Sequence, residues 1–445
     1  MNVYDDPFLP VELGASIFVE INSILYGAAK DFNLTVSGSS MVRTADVPGP
    51  ALGIWNGQEF VLTQSTSSTW WDTAKILWKY GLAPIKTMKL VKATVGKFLA
   101  LYESEQFPFE SITQVVQDVG LSAAIAATGE QWLRENGIGG AFGRDVIQAS
   151  TRVNYAQNLP YIHGLEAMVC MAADGAVSIE GGNYQIFQSM LAASNATVHL
   201  ETAVAGFEKQ SNGSYILSHS QSNPNSPQQH THSLHDAIIL AAPYQYANLS
   251  TPSVSPQRTP DKIPYVQLHV TLFTSPHLLS PNYFNLKPNT PVPQVILTTL
   301  PPHERARKGP AGVGLPGFFS ISLLSPVTNP STGAQEYLYK IFSPLPPNGA
   351  FLAQLLGLPH HDRLNEYEGY EINGSDLTWM YRKVWDSYPY EFPRVTFEDV
   401  RLEEGVWYTS GFESVISTME TSALMGKNVA RLVVDAFAEE RRGEW

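Results

Sequence analysis

The stretch from Gly405 to Val434, GVWYTSGFESVISTMETSALMGKNVARLVV, constrains this chain more than any other. Val406-Trp407-Tyr408 is a short apolar run of strand formers, and Thr409-Ser410-Gly411 supplies the turn that leaves it. Ser417-Thr418-Met419-Glu420 has the capping-box pattern, in which Ser417 accepts from a first-turn amide while Glu420 reaches back. A helix follows, and Ala423, Gly426 and Ala430 put small residues on one face, where another backbone or a flat ligand can come close. Strand, turn and capped helix together make a place for an anion, because unpaired first-turn amides and the helix dipole point there. The same residues would also serve an ordinary terminal βα unit.

A chain of 445 residues, 44% hydrophobic and 16% charged, is long enough for one elaborate or two ordinary domains. Its net charge of −13 argues against a nucleic-acid partner, which needs a basic surface. The single cysteine, Cys170, excludes an intrachain disulfide and a thiolate metal cluster, and its apolar neighbours mark it as packing. No apolar run reaches the ~18 residues that span a bilayer. No signal peptide follows Met1. Sequons at Asn33, Asn195, Asn212, Asn248 and Asn373 favour a secretory-pathway origin.

Apolar spacing predicts a mostly helical region from Gln64 to about Ala172. Lys75, Lys79, Lys86, Lys89, Lys92 and Lys97 fall within residues 73–99 with no acid among them. Such a stretch can rest on an anionic lipid surface, but more often it is a solvated helix face. Thr197 to Phe207 reads as a strand pair. Ser214–Leu217 and Ala237–Leu240 read as hairpin arms around a polar loop. His230, His232 and His235 in that loop read as solvated, and no metal site is expected. Residues 255–350 alternate in the manner of an antiparallel sheet punctuated by proline. No G-x-S-x-G, P-loop or H-E-x-x-H occurs, so no side-chain machinery for hydrolysis or phosphoryl transfer is visible.

The C-terminal stretch resembles the flavin segment of FAD-dependent amine-oxidase-like proteins and, more narrowly, of the prenylcysteine oxidase (prenylcysteine lyase, farnesylcysteine lyase) family. Further segments in the same order carry the resemblance: Glu12-Leu13-Gly14-Ala15-Ser16, Arg152-Val153-Asn154-Tyr155-Ala156-Gln157, Glu180-Gly181-Gly182-Asn183, Asp236 to Pro243, Tyr337 to Ser343 and Lys383 to Pro393. The resemblance implies an α+β / α/β fold. An FAD-binding, Rossmann-like domain of amine-oxidase type would interleave with a substrate domain of antiparallel sheet plus helices. Residues 1–60, 176–245 and 396–445 would form the FAD domain, 61–175 a helical and substrate region, and 246–395 the substrate domain. Gly14, Ala15 and Ser16 would run beside the flavin, and Val204 would offer a backbone contact to the adenine. Gly411 and Glu413 would lie near the phosphates, Thr418 and Met419 near the flavin edge. Asn154 and Tyr155 would line the substrate cavity, or hydrogen-bond within the core.

A strand–GxGxxG–helix unit should open such a domain. Gly312–Gly317 has the letters but follows no strand, and Gly137–Gly143 has the wrong spacing, so the chain reads as N-terminally incomplete. The implied reaction oxidises S-prenyl-cysteine at the carbon bearing sulfur, with water and oxygen consumed and cysteine, prenyl aldehyde and hydrogen peroxide released. The cofactor carries that chemistry, which fits the lack of an acid–base pair, and no catalytic side chain is named. Lysosome or vacuole is the implied location. Another flavin oxidoreductase of this fold, or a cofactor-free lipid-binding homologue, are the alternatives.

Overall fold

The computed structural model describes residues 2–3, 11–38, 47–65, 70–172, 175–221, 230–249, 259–359 and 374–443. Its largest element is a seven-stranded sheet. Across the sheet the strands run Trp379–Pro389, Tyr265–Ser275, Gln335–Ser343, Ser320–Thr328, Val295–Thr298, Leu52–Trp55 and Phe60–Gln64. All neighbours pair antiparallel except Val295–Thr298 with Leu52–Trp55. The alternation expected over 255–350 is therefore real, and residues 52–64 extend the same sheet.

Side chains alternate between the two faces, as a pleated strand requires. Tyr339 and Ile341 pack on one face with Trp55, Phe273, Phe284 and the helix Gly349–Leu356. Leu338 and Phe342 pack on the other with Val11, Leu13, Leu268 and Phe319. The second face carries the sequence motifs. It looks toward the helical region, whose helices Trp70–Tyr80, Ala83–Leu99, Ile112–Asp118, Gly129–Glu135, Gln148–Tyr155 and Gly164–Cys170 follow one another as the periodicity predicts.

A smaller three-stranded sheet holds Ile238–Leu240 parallel to Val406–Tyr408, with Arg401–Glu403 antiparallel beyond it. Val406, Trp407 and Tyr408 are all buried, so the apolar run is a central strand. The helix Met419–Gly443 follows through a 3-10 turn, Ser410–Ser414. It buries Leu424, Met425, Val429 and Leu432 against Ile112, Val115 and Trp407. Of the small-residue face, Ala423 packs against the cluster of Phe18, Leu25 and Ile186, while Gly426 and Ala430 are exposed and Gly426 has open space around it, so no second backbone lies there among the described residues.

Two local expectations change. Strand structure covers only Thr202–Lys209 of the expected 197–207 pair. Tyr215–Gln221 pairs with Thr202–Lys209 and His230–His235, not with Ile238–Leu240, which belongs to the other sheet. His232, Leu234 and His235 are exposed, so His230–His235 is a solvent-facing strand, which the polar Ser/Gln/Asn composition disguised. Its His232 and His235 each meet a serine hydroxyl, at 2.9 and 2.7 Å.

Candidate functional site

Three motifs far apart in sequence close on the turn 12–16. Asn183 bridges two of them: its Oδ1 accepts from the Ile179 amide at 2.9 Å and its Nδ2 donates to the Ala15 carbonyl at 2.9 Å. The Lys340 ammonium donates to the Glu12 carbonyl at 3.2 Å. A Cβ on Gly14 would sit 3.6 Å from the Trp385 ring, so that turn passes close to the edge strand of the large sheet. Gly182 has φ +117, and a Cβ there would lie 3.0 Å from Glu12 Oε1; glycine is required for both reasons.

The clamp holds an unusual backbone. Ala15 lies in the left-handed region at φ 54 yet is exposed, and Ser16 beside it is half-buried. An alanine there costs ~1–2 kcal/mol, so the strain persists only because Asn183 and Lys340 fix the flanking carbonyls. Lys340 is buried and its ammonium is lowered to about 8 by burial, the Glu12 carboxylate acting the other way.

The helix Met419–Gly443 begins one residue later than the capping-box reading places it. Thr418 is the cap: its Oγ1 accepts from the Thr421 amide at 3.2 Å, and Thr421 Oγ1 accepts from the Thr418 amide at 3.1 Å. Ser417 is outside the helix, and its carbonyl accepts from the Tyr155 hydroxyl at 3.0 Å. The shift points Glu420 away from its own cap. Its carboxylate accepts from the Ile24 and Leu25 amides, each at 3.0 Å, and from the Tyr102 hydroxyl at 3.0 Å. Glu420 thus caps a different helix, Ser23–Asp31, whose own Asn22 makes no side-chain cap.

Glu413 lines a small crevice, and Gly411 is buried behind it. Glu413 accepts from the Tyr265 hydroxyl at 2.7 Å, and burial raises its carboxyl. Gly411 is buried, and a Cβ would meet Glu398 at 2.9 Å and Ile112 at 3.2 Å. The crevice wall includes Asp261, Glu398 and Glu413 with no lysine or arginine. Val204 lies elsewhere, on an exposed position of Thr202–Lys209 opposite His219. Asn154 is tied to its own helix through the Ser150 carbonyl at 3.0 Å, and Tyr155 is buried, edge-on to Tyr388 at 5.3 Å between centroids.

Behind the Ser417 turn lies a group that the sequence did not reveal. His163, Glu166 and Glu391 are fully buried, and one ligand-type atom from each lies within 4.8 Å of the others. His163 caps the helix Gly164–Cys170, its Nδ1 accepting from the Glu166 amide at 3.0 Å. The ring proton of neutral His163 is therefore on Nε2, which lies 3.6 Å from Glu391 Oε2, beyond hydrogen-bond distance. No lone pair is left there for a metal, so the three side chains form an acid cluster and not a ligand set. Burial lowers His163 to about 3, raises Glu166 to about 8, and holds Glu391 well above the carboxylate range. Gln157 fastens the neighbouring chain, donating to Pro389 O at 3.1 Å and accepting from the Glu391 amide at 3.0 Å. Arg394 donates to Ser414 Oγ at 2.8 Å.

Arg152 opens the same motif and is fully buried. It donates to Thr298 Oγ1, Asn158 Oδ1 and the carbonyls of Gly312 and Val313, at 2.8 to 3.0 Å. It locks the helix Gln148–Tyr155 to the large sheet.

The profile of the prenylcysteine lyase family matches residues 63–443. The chain belongs to that family. Similarity to curated members extends beyond the matched span. Farnesylcysteine lyase of Arabidopsis thaliana is 27% identical over 441 residues, covering 96% of this chain and 77% of that protein. Prenylcysteine oxidase 1 of Mus musculus is 24% identical over 446 residues, covering 95% and 78%. Among solved structures, cyclohexylamine oxidase from Brevibacterium oxydans IH-35A aligns with TM-score 0.54 at 12% identity, over 98% of this chain and 91% of that one. A fatty acid isomerase from P. acnes that produces CLA aligns with TM-score 0.55 at 11% identity, over 97% and 89%. The fold is therefore the α+β architecture of amine-oxidase type.

Proposed function

We propose that this protein oxidatively cleaves the thioether of S-prenyl-L-cysteine, farnesyl- or geranylgeranyl-cysteine, using FAD and oxygen. The products are cysteine, a prenyl aldehyde and hydrogen peroxide, and the process is the breakdown of prenylated proteins. The observation that carries this reading is the family match over residues 63–443, whose motifs converge on one clamped turn.

The residues present fit the ring end of FAD. An exposed, left-handed Ala15 beside Gly14 offers open backbone without bulk, and the first amides of the helix Met419–Gly443 have no intrahelical partner. Gly14, Ala15, Ser16, Thr418 and Met419 would hold the ring, and bound FAD would supply the two-electron acceptor that no side chain provides. The crevice at Glu413 does not fit a phosphate, because its wall is acidic. We assign Glu413 to a hydroxyl of the ribitol or a ribose, and Gly411 to packing. Tyr155 acts by holding the Ser417 turn through its hydroxyl, and Asn154 stiffens the same helix.

We also place the protein in the secretory pathway, ending in a lysosome or vacuole, as a glycoprotein. The sequon residues Asn33, Asn195, Asn212 and Asn248 are all exposed, which supports this; Asn373 lies outside the described residues. A mass shift on peptide-N-glycosidase treatment of the native protein would test it.

The deciding experiment is anaerobic titration of the FAD-reconstituted chain with farnesylcysteine. Bleaching of the visible flavin band, with prenyl aldehyde and hydrogen peroxide formed once air is admitted, is expected. Bleaching by simple amines but not by farnesylcysteine would overturn the substrate assignment.

A further inference from the structure

The helices Trp70–Tyr80 and Ala83–Leu99, joined through Gly81 and Leu82, form a hairpin whose inner and outer faces differ in kind. The inner face is anchored. Tyr80, Thr87 and Thr94 are buried, and Ile76, Leu90 and Val91 pack on the core that contains Leu133 and Ile138. The outer face is apolar at its tip: Trp78 is 91% exposed, Leu82 65%, Ile85 41% and Met88 72%. Ile85 and Met88 recur at helical spacing on one side, and Trp78 and Leu82 flank the turn between the helices.

Lysines surround that tip. Lys79, Lys86 and Lys97 pin the hairpin to the body by donating to the carbonyls of Val61, Gly137 and Gly120 at 2.6, 3.0 and 2.9 Å. Lys79 also lies 3.5 Å from the buried Asp145 carboxylate. Lys89 and Lys92 are exposed and have no hydrogen-bond or ion-pair partner among the described residues. No acid occurs from Thr73 to Tyr102, in a chain whose net charge is −13.

We propose that the outer face of this hairpin docks on an anionic phospholipid bilayer, with Trp78, Leu82, Ile85 and Met88 entering the headgroup–acyl boundary and Lys89 and Lys92 facing lipid phosphates. Charge decides the occupant. A negatively charged membrane surface attracts exposed lysines, and a Trp beside aliphatic side chains is the composition that sits at the interface. A second copy of this chain would bring like-charged lysines together. No helix among the described residues is long and apolar enough to cross a membrane, so the contact is peripheral. This inference stands apart from the substrate assignment, since it rests on the hairpin alone.

The test is co-sedimentation of the full chain with vesicles of phosphatidylcholine alone or of phosphatidylcholine with phosphatidylserine. Binding to the anionic vesicles, weakened by salt, is expected. Lys89→Glu with Lys92→Glu should reduce it at least ~10-fold, since each lysine near such a surface contributes roughly a 5-fold gain. Trp78→Ser with Met88→Ser should also release the protein, leaving the melting temperature unchanged. Equal recovery of wild type in pellets from both vesicle types and from no vesicles would overturn the proposal. So would binding that neither pair alters. Self-association abolished by Trp78→Ser with Met88→Ser, without vesicle binding, would assign the face to a second copy and equally overturn it.

Discussion

The Ser417 turn and the basic hairpin break the ordinary rule of burial in opposite directions. Behind the turn, two carboxyl groups and an imidazole are fully buried, and Glu420 is almost so. On the hairpin, four large apolar side chains stand in solvent. Most polar groups are solvated and most large apolar ones are covered, so each region needs a reason. Inside, Glu420 ties together segments hundreds of residues apart. Outside, the apolar groups tie no distant segments together among the described residues. The contrast separates residues that shape the site from residues that present a surface, and substitutions should divide along the same line.

The largest effect is expected at Glu420. Glu420→Ala leaves the Ile24 and Leu25 amides and the Tyr102 hydroxyl without their acceptor. Each orphaned buried group costs about 1–3 kcal/mol, and a loss of about 3–5 kcal/mol in unfolding free energy is expected from denaturant titration. Glu420→Gln keeps the shape and should cost about 1–2 kcal/mol. A loss below ~1 kcal/mol for Glu420→Ala would mean that the two helix ends hold without their shared carboxylate.

The acid cluster should write itself into the pH dependence of stability. Burial raises Glu166 from 4.5 to about 8, so its contribution is complete below pH 4.5 and is lost as pH rises toward about 8. Burial lowers His163 from 6.5 to about 3, so its contribution is complete above pH 6.5 and is lost as pH falls toward about 3. Glu391, which burial also holds well above its ordinary 4.5, adds a second proton to the alkaline limb, so stability is greatest near about pH 4.5 and falls on both sides. Each limb has a slope near ~1.4 kcal/mol per pH unit for one proton. Glu166→Gln should make the alkaline limb shallower in thermal melts, leaving the part that belongs to Glu391, and spare the acid limb. An alkaline limb of unchanged slope would move the cause to another group.

A third effect, smaller in stability, belongs to the clamp. Asn183→Ala frees the Ala15 carbonyl and the Ile179 amide and should cost about 1–3 kcal/mol. The sharper readout is cofactor affinity: reconstitution with FAD should weaken at least ~10-fold, because the strained Ala15 turn is no longer preorganised. Unchanged affinity would show that the turn needs no clamp.

Local signals carried much of this structure and missed its long-range contacts. The central strand 406–408, the helix after it, the antiparallel sheet and the run of helices follow from periodicity over adjacent residues. The position of the flavin-segment cap slipped by one residue, because Ser417 and Thr418 are both good caps and only the packing of Glu420 chooses between them. Nothing in the sequence joins His163 to Glu391 or Asn183 to Ala15, since those pairs exist only when the sheet and helices close. The motif letters E-G-G-N and Y-L-Y-K-I-F-S mark the right segments. Which of their residues does the holding, Asn183 and Lys340, is a property of the folded geometry.

The smallest effect on stability is expected on the hairpin, and it is the one that closes the comparison. Trp78 at 91% exposure and Met88 at 72% make few contacts, so replacing both by serine removes little buried area. Unfolding free energy should change by less than ~0.5 kcal/mol, the range of ordinary surface substitutions. Thr87→Val on the inner face of the same helix is the matched control. Thr87 is buried and its hydroxyl donates back to Ala83 O, 2.9 Å away, a bond that the isosteric valine forgoes without opening a cavity. If the outer pair proves as costly as a core substitution, the tip is packed in solution and is not a presented surface. If it is silent in solution while vesicle binding falls, the hairpin keeps its apolar side chains for something outside the chain, and the contrast with the buried acids behind Ser417 holds.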